Sequence, residues 1–426
     1  MNRVIVTQAE QNLCSGVRHI FDRCGGLDNL LKGRNKAWIK INAIDCRPET
    51  YTSPAVLEAV IEVLKSHVFA EISVIENCTQ GNFTRLVFAA TELGAVCKRQ
   101  GVRPLFLDEG PVEEIDLPGL NQKARFPRIV VEELLRDERD IFFLNLPRLK
   151  THSMSVVTLG IKNLFGLMDQ RDRMDDHNDK LHVRLASLGE LFKPDFTIID
   201  GIKAVFHGHY PPASVVDRCL APLGLLIGGS DMLAVDLVGA RVLGYSISEV
   251  PHLASAAERS GGPVDPESID IDGDLSIYTK KYPYTMLPDL PPDVNIVRGG
   301  ERCCVEGCRN NTEAVLQFLY LDYGGKGGFS IIMGKGFDHA ALQKINGPVL
   351  LAGKCAIEET GEFFDHKLGR RYVFQSPACN DLASTVKALT RLMKVSPLKL
   401  VPVHPAYSLA LLATARLKGS KARVGL

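Results

Sequence analysis

WIKINAI (38–44), SPAVLEAVIEVLKSH (53–67) and EISVIEN (71–77) follow one another closely, and their reading decides the fold. The first and third are short apolar runs rich in β-branched residues, the pattern of strands buried on both faces. Between them, Ser53-Pro54 gives the cap-then-proline start of a helix, and apolar residues then recur at helical spacing. Strand, helix, strand is the unit of a parallel α/β sheet. The rhythm continues outward: a helix around 84–99, then strands at VRPLFLD (102–108), DIFFLNLP (140–147) and FTIIDGI (196–202). GLLIGGSDMLAVDLVGARVLG (224–244) runs from a strand through glycines into a helix.

A proline-rich stretch, YPYTMLPDLPPDV (282–294), marks a boundary. After ERCCVEGC and one helix come three strand–turn–helix units, beginning at FSIIMGKG, GPVLLAGKC and RYVFQSPAC. The expected architecture is α/β with mostly parallel sheets and flanking helices. It comprises a larger domain (1–285), a linker (286–300) and a smaller flavodoxin-like βα domain that carries the cysteines (301–426).

The chain has 426 residues, with 50 Lys+Arg against 50 Asp+Glu. Zero net charge argues against a protein that binds nucleic acid by neutralising phosphates. The N-terminal MNRVIVTQAEQN lacks an apolar signal core. The longest apolar stretch, VPVHPAYSLALLATARL (401–417), is interrupted by His404, Pro405 and Arg416 and is too short and too polar to span a bilayer. The expectation is a cytoplasmic protein with no nucleic-acid or membrane partner, its oligomeric state left open.

Ligands of open parallel sheets bind beyond the carboxyl ends of the strands. That rule selects Lys40 and Asn42 after the first strand, Lys150 and His152 in RLKTH, Lys162 and Asn163 in GIKNLFG, and Asp200 in IIDGI. Lysine, histidine, asparagine and acid on one rim suit an anionic small molecule or a metal. Asp231, beside Ser230, is read either as a first-turn acid favoured by the helix dipole or as a ligand-binding acid.

IKIN with TSP downstream, LPRLKTH, GIKNLFG, IIDGI and SDMLAVDLVGARVLG together resemble the domain of unknown function 362 family, over roughly residues 36–260. The resemblance implies the fold and the place of the site, and an association with iron–sulfur modules; it implies no reaction. Two departures stand out: FHGHYPP replaces an acidic, glycine-rich turn after IIDGI, and no C-x-x-C-x-x-C run is present. The order His152, Gly160-x-Lys162, Gly166, His177 is more distantly similar to the cofactor segment of nickel-pincer lactate racemases. That similarity implies a tether at Lys162 and a ligand or acid–base role for His152 or His177.

Eleven cysteines without a secretory signal do not read as a disulfide framework. Cys355 and Cys379 follow directly on two strands, so both project from the carboxyl edge of one sheet, and Cys303, Cys304 and Cys308 can fold over that edge. Thiolates so placed suit an iron–sulfur cluster of the 4Fe–4S type, with zinc as the alternative. Three readings follow. The first is an oxidoreductase with its cluster on Cys308, Cys355, Cys379 and one of Cys303/Cys304, served by a carrier such as ferredoxin, with Lys150 and Lys162 fixing an anion and His152 moving a proton. The second is a racemase or isomerase with a nickel-pincer cofactor on Lys162. The third is a non-catalytic carrier of a metal or cluster.

Overall fold

The computed structural model describes residues 3–9, 11–67, 70–136, 138–261 and 268–425. In chain order the strands are β1 (Arg3–Gln8), β2 (Lys36–Ile41), β3 (Glu71–Glu76), β4 (Arg103–Phe106), β5 (Val112–Asp116), β6 (Lys123–Pro127), β7 (Ile141–Leu146) and β8 (Arg148–His152). Then follow β9 (Val156–Val157), β10 (Phe196–Val205), β11 (Leu220–Gly229), β12 (Asp270–Asp272), β13 (Asn295–Arg298), β14 (Ser330–Met333), β15 (Val349–Ala352) and β16 (Val373–Ser376).

The large sheet runs β12-β1-β11-β10-β7-β2-β3-β4, with β8 beside β10 and β9 beside β8. From β10 to β4 every neighbour along that path is parallel, as the apolar runs predict, while β11 is antiparallel to both β10 and β1. Helices cover both faces. Ala37, Ile39 and Ile41 pack into one core with the helices Leu13–Arg23 and Pro54–Lys65. Trp38 faces the other core, with the helices Leu181–Leu191 and Met232–Val242. Side chains alternate along a strand, so Lys40 shares Trp38's face. The expected helix over 84–99 is two helices, Thr84–Ala90 and Glu92–Arg99, with Thr91 extended between them.

The small sheet is fully parallel in the sequential order β13-β14-β15-β16. A flavodoxin-like order would put its first strand inside the sheet, so that finer label does not describe it. β13 falls within the expected linker and pairs with β14, so the sheet begins before residue 301. The C-terminal segment turns back onto the larger unit: Ala415 and Ala422 pack on Phe83 and Leu86, and Gly81 N donates to Arg423 O (2.7 Å). Among the described residues no helix is long and apolar enough to cross a membrane.

The element that matters most for the site is the short helix Leu159–Asn163. Asp236, fully buried on the helix Met232–Val242, accepts hydrogen bonds from Gly160 N (2.6 Å) and Ile161 N (2.8 Å). A Cβ at Gly160 would lie 2.8 Å from Asp236 Oδ1, so only glycine permits this approach. Asp236→Ala leaves two buried N–H groups unpaired and is expected to cost roughly 2–5 kcal/mol in urea unfolding; a loss under about 0.5 kcal/mol would contradict the assignment. Burial pushes the Asp236 carboxyl up to about 7 against the pull of those two N–H groups. The folded state therefore holds this proton more tightly than the unfolded chain does. The contribution is full below about pH 4, declines as pH rises to about 7, and is flat above; Asp236→Asn should remove that slope.

Candidate functional site

Beyond the carboxyl ends of β2, β3 and β8 lies a cavity with about 950 Å³ of unfilled space, part of it open to solvent. The larger unit supplies Lys40, Asn42, Glu76, Lys150, His152, Lys162, Asn163, Arg173, His177 and His209. The smaller unit closes it with Asn311, Val315, Phe318 and Asn380. The two units thus meet over the sheet edge where the sequence places its polar residues.

Four basic side chains line this space, and Glu76 is the single carboxylate among them. Lys40 Nζ, fully buried, is matched by Glu76 Oε1 at 2.7 Å and by Ile41 O at 2.7 Å. Glu76 also accepts from Ala43 N (2.5 Å) and Asn77 N (2.8 Å). Lys40 is therefore a structural cation. Lys150 differs: its side-chain nitrogen has one long contact, to Thr50 O at 3.4 Å. Burial pulls its pKa well down, with help from the charges of Arg148 and Lys162. Lys162 stands 4.5 Å over the Phe165 ring and is pulled down to about 7, first by burial and then by Arg173 and Lys40. Arg173 donates to Asn77 O and Cys78 O. A buried surplus of positive charge is costly unless a counter-charge enters.

The histidines have readable tautomers. His152 Nδ1 accepts from Met154 N (3.1 Å) and Ser155 N (3.3 Å), so its proton sits on Nε2. His177 Nδ1 faces Arg173 O at 2.8 Å and must donate to it, leaving Nε2 as an acceptor. His152 stacks on His209 with ring centres 3.6 Å apart and planes 1° from parallel. Burial pulls both below the usual histidine range, as it does His177, to about 3. These are neutral rings near pH 7. Buried amide oxygens of Asn42, Asn77, Gln80 and Asn380 have no protein partner, which marks the wall as polar surface awaiting a ligand or water. Val156 and Leu159 flank the turn into the Lys162 helix at φ +68° and +51°. Non-glycine residues there store roughly 1–3 kcal/mol each, typical of sites that over-determine their geometry.

Two expected residues lie elsewhere. Asp200 is fully buried and accepts from Ser53 N (2.7 Å), tying β10 to the start of the helix Pro54–Lys65. Asp231 caps the helix Met232–Val242 through Ala234 N (3.1 Å) and lines a separate cleft. Asn163 stays at the wall, donating to Lys40 O (3.2 Å) and Asn145 Oδ1 (2.8 Å), and Asn42 donates to it (3.2 Å). Arg173 lies outside every motif quoted above, and only its place in a helix folded over the sheet edge brings it in. His209 is signalled in the sequence by HGHYPP.

A second, smaller chamber, with about 320 Å³ of unfilled space that includes open solvent, is lined by Cys304, Cys308, Cys355 and Cys379 with Arg302, Lys354, Gly334 and Gly353. Cys355 is the second residue of the helix Lys354–Leu368, and Cys379 sits in the turn after β16. Cys303 and Cys308 both pack against the small sheet's core, and of the adjacent pair Cys304 is the one that lines the chamber. Arg302 Nε donates to Cys304 Sγ (3.2 Å). Gly353 has φ +93°, and a Cβ there would lie 3.0 Å from Cys308 Sγ. Burial and the other four thiols push Cys308 up to about 12. Among the described residues no three His, Cys, Asp or Glu side chains converge on one point as a single ion requires.

One residue's thickness separates the two spaces. His177 lines the cavity, while the next side chain, Asn178, reaches Cys379 Sγ (3.8 Å). Cys379 lines the chamber and Asn380 the cavity. The backbone of His177 lies against Gly307, where a Cβ would come within 2.6 Å of its carbonyl oxygen.

Residues 38–241 match the family described as Domain of unknown function (DUF362). A thylakoid-associated protein of Synechocystis sp. is 24% identical over 282 residues, covering 62% of this chain and 79% of its own. A crystal structure of a Thermotoga maritima protein aligns with TM-score 0.31 and 9% identity, over 79% of this chain and 74% of that one. The DUF362 match spans β2 to the helix Met232–Val242 and so includes every cavity cation.

The surplus charge has a measurable consequence. Sulfate, whose charge is constant from pH 6 to 9, should bind the cavity with an affinity that falls as pH rises through about 7, by up to tenfold per unit, as Lys162 loses its proton. In Lys162→Met that dependence should vanish. A flat profile for the unaltered chain in titration calorimetry would contradict the assignment.

Proposed function

We propose the function from the chemistry of the two spaces, because the match of residues 38–241 to the DUF362 family fixes no reaction. The chain is an iron–sulfur redox protein that delivers electrons to an anionic small molecule. One observation carries this reading: a four-thiol chamber and a buried cationic cavity share the wall His177–Asn178 and Cys379–Asn380.

The donor set fits a cluster. Thiolates are the usual ligands of iron–sulfur groups. Cys304, Cys308, Cys355 and Cys379 line one chamber, and these four would be the residues to hold a cluster. Gly353 lets the backbone approach Cys308 Sγ closely, where a Cβ would lie 3.0 Å from the sulfur. A 4Fe–4S cluster bound there supplies one electron at a time, replenished by an external carrier such as ferredoxin.

The chain's own groups do the rest. Lys150, Lys162 and Arg173 hold the anion. Lys162, at about 7, is present in both protonation states near neutrality and is the proton donor of choice. His152 is neutral and offers Nε2–H, so it orients the ligand, and the proton-moving role passes to Lys162. A two-electron reduction takes two single-electron deliveries from the carrier and two protons, one through Lys162 and one from solvent.

The test is iron and acid-labile sulfide content of the full chain purified without oxygen. Stoichiometric iron and sulfide are expected. They should be lost in Cys304→Ala and Cys379→Ala and kept in Cys303→Ala and Lys150→Ala. Iron-free protein, or nickel with added mass on Lys162, would overturn the proposal.

A further inference from the structure

The cationic cavity is not closed on all sides. Gln80, Tyr210, Phe318 and Leu382 line it and also line a second, larger space of about 1810 Å³, part of it open to solvent. The character of the wall changes across that boundary. Beyond it the lining is dominated by Leu86, Leu400, Val401, Leu409, Leu412 and Val424. The helix Pro405–Leu417 roofs this space without filling it: of its thirteen residues only Ala415 is buried, although the sequence PAYSLALLATARL is mostly apolar. Leu398 and Leu409 are 69% and 67% exposed at its rim. A helix of that composition ordinarily buries a face.

The junction is built from groups that suit the waist of an amphiphile. Phe318 presents one face to Arg47, whose guanidinium carbon lies 3.8 Å from the ring centre and which is neutralised by Asp322 (2.7 Å). Gln80, with an unpaired buried oxygen, stands at the junction, and Asp45, Asn82 and Lys399 add polar groups to the rim of the larger space.

We propose that the ligand is an amphiphile: an anionic head held by Lys150, Lys162 and Arg173, and an apolar chain running past Phe318 and Tyr210 into the space beneath the C-terminal helix. This deepens the anion reading above and rests on it. Burying chain methylenes contributes most of the affinity, and the cations fix which end enters.

The experiment is titration calorimetry of the full chain with butyl phosphate, decyl phosphate and decyltrimethylammonium, each below its micelle concentration. Decyl phosphate should bind at least about tenfold more tightly than butyl phosphate. Leu412→Glu should remove most of that gain and leave butyl phosphate unchanged. Leu398→Glu, at an exposed position that folding tolerates, should do the same to a smaller degree. Lys150→Ala should weaken both phosphates. Equal binding of the two phosphates would overturn the chain site while leaving the anion site standing. Binding of neither would overturn both. Decyltrimethylammonium binding as tightly as decyl phosphate would show that the head plays no part, and would overturn the proposal as well.

Discussion

The buried pair Lys40–Glu76 is the constraint on which the rest of the site depends. It joins two adjacent parallel strands at their carboxyl ends, β2 and β3, at 2.7 Å. A buried ion pair is poor evidence of net stability, because desolvating two charges offsets most of their attraction. Its effect here is geometric. Glu76 also holds Ala43 N and Asn77 N, so both chain segments leaving the sheet are aimed by one carboxylate. Gly166 lies directly on the pair, where a Cβ would meet Glu76 Oε1 and Lys40 Nζ at 2.9 Å each. Breaking the pair by removing one partner strands the other charge, so neither position tolerates loss as an ordinary surface residue does.

That floor explains why GIKNLFG has its form. Gly160 meets Asp236 and Gly166 meets the ion pair, so the two glycines are close-approach residues at opposite ends of one segment. Between them Asn163 bonds back to Lys40 O, and Lys162 projects into the cavity over Phe165. The one carboxylate of the cavity, Glu76, is already bound to Lys40, so Lys162 has no carboxylate partner of its own among the lining residues. Lys150 and Lys162 are therefore held at the cavity wall by the fold itself, at a cost in desolvation.

Much of this is legible in the sequence, for physical reasons. Strands buried on both faces announce themselves as apolar runs, so β2, β3, β7 and the start of β10 appear where they are expected. The rule that places ligands beyond strand carboxyl ends then finds Lys40, Asn42, Lys150, His152 and Lys162. It also selects Asp200, whose carboxylate instead accepts from the distant Ser53 N, and the separate choice at Asp231 between a helix cap and a ligand-binding acid is one that a single dimension leaves open. The strands β1 and β13 are harder to see, because each is completed by partners far away in sequence, β11 and β14. Arg173 and the closing residues Phe318 and Asn380 are invisible for the same reason: packing between units carries no local period.

The choice between Cys303 and Cys304 shows how fine the structural contribution is. Adjacent residues cannot both face one chamber when the chain between them is extended, and Cys304 has φ −62° and ψ 122°. Cys304 is the one that lines the chamber with Cys308, Cys355 and Cys379, while Cys303 packs beside Cys308 against the small sheet's core. The same alternation operates at the wall between the two spaces, where His177 faces the cations and Asn178 the thiols. Sheet and turn geometry thus sets four thiols and the cavity's cations back to back, on opposite sides of a wall one residue thick.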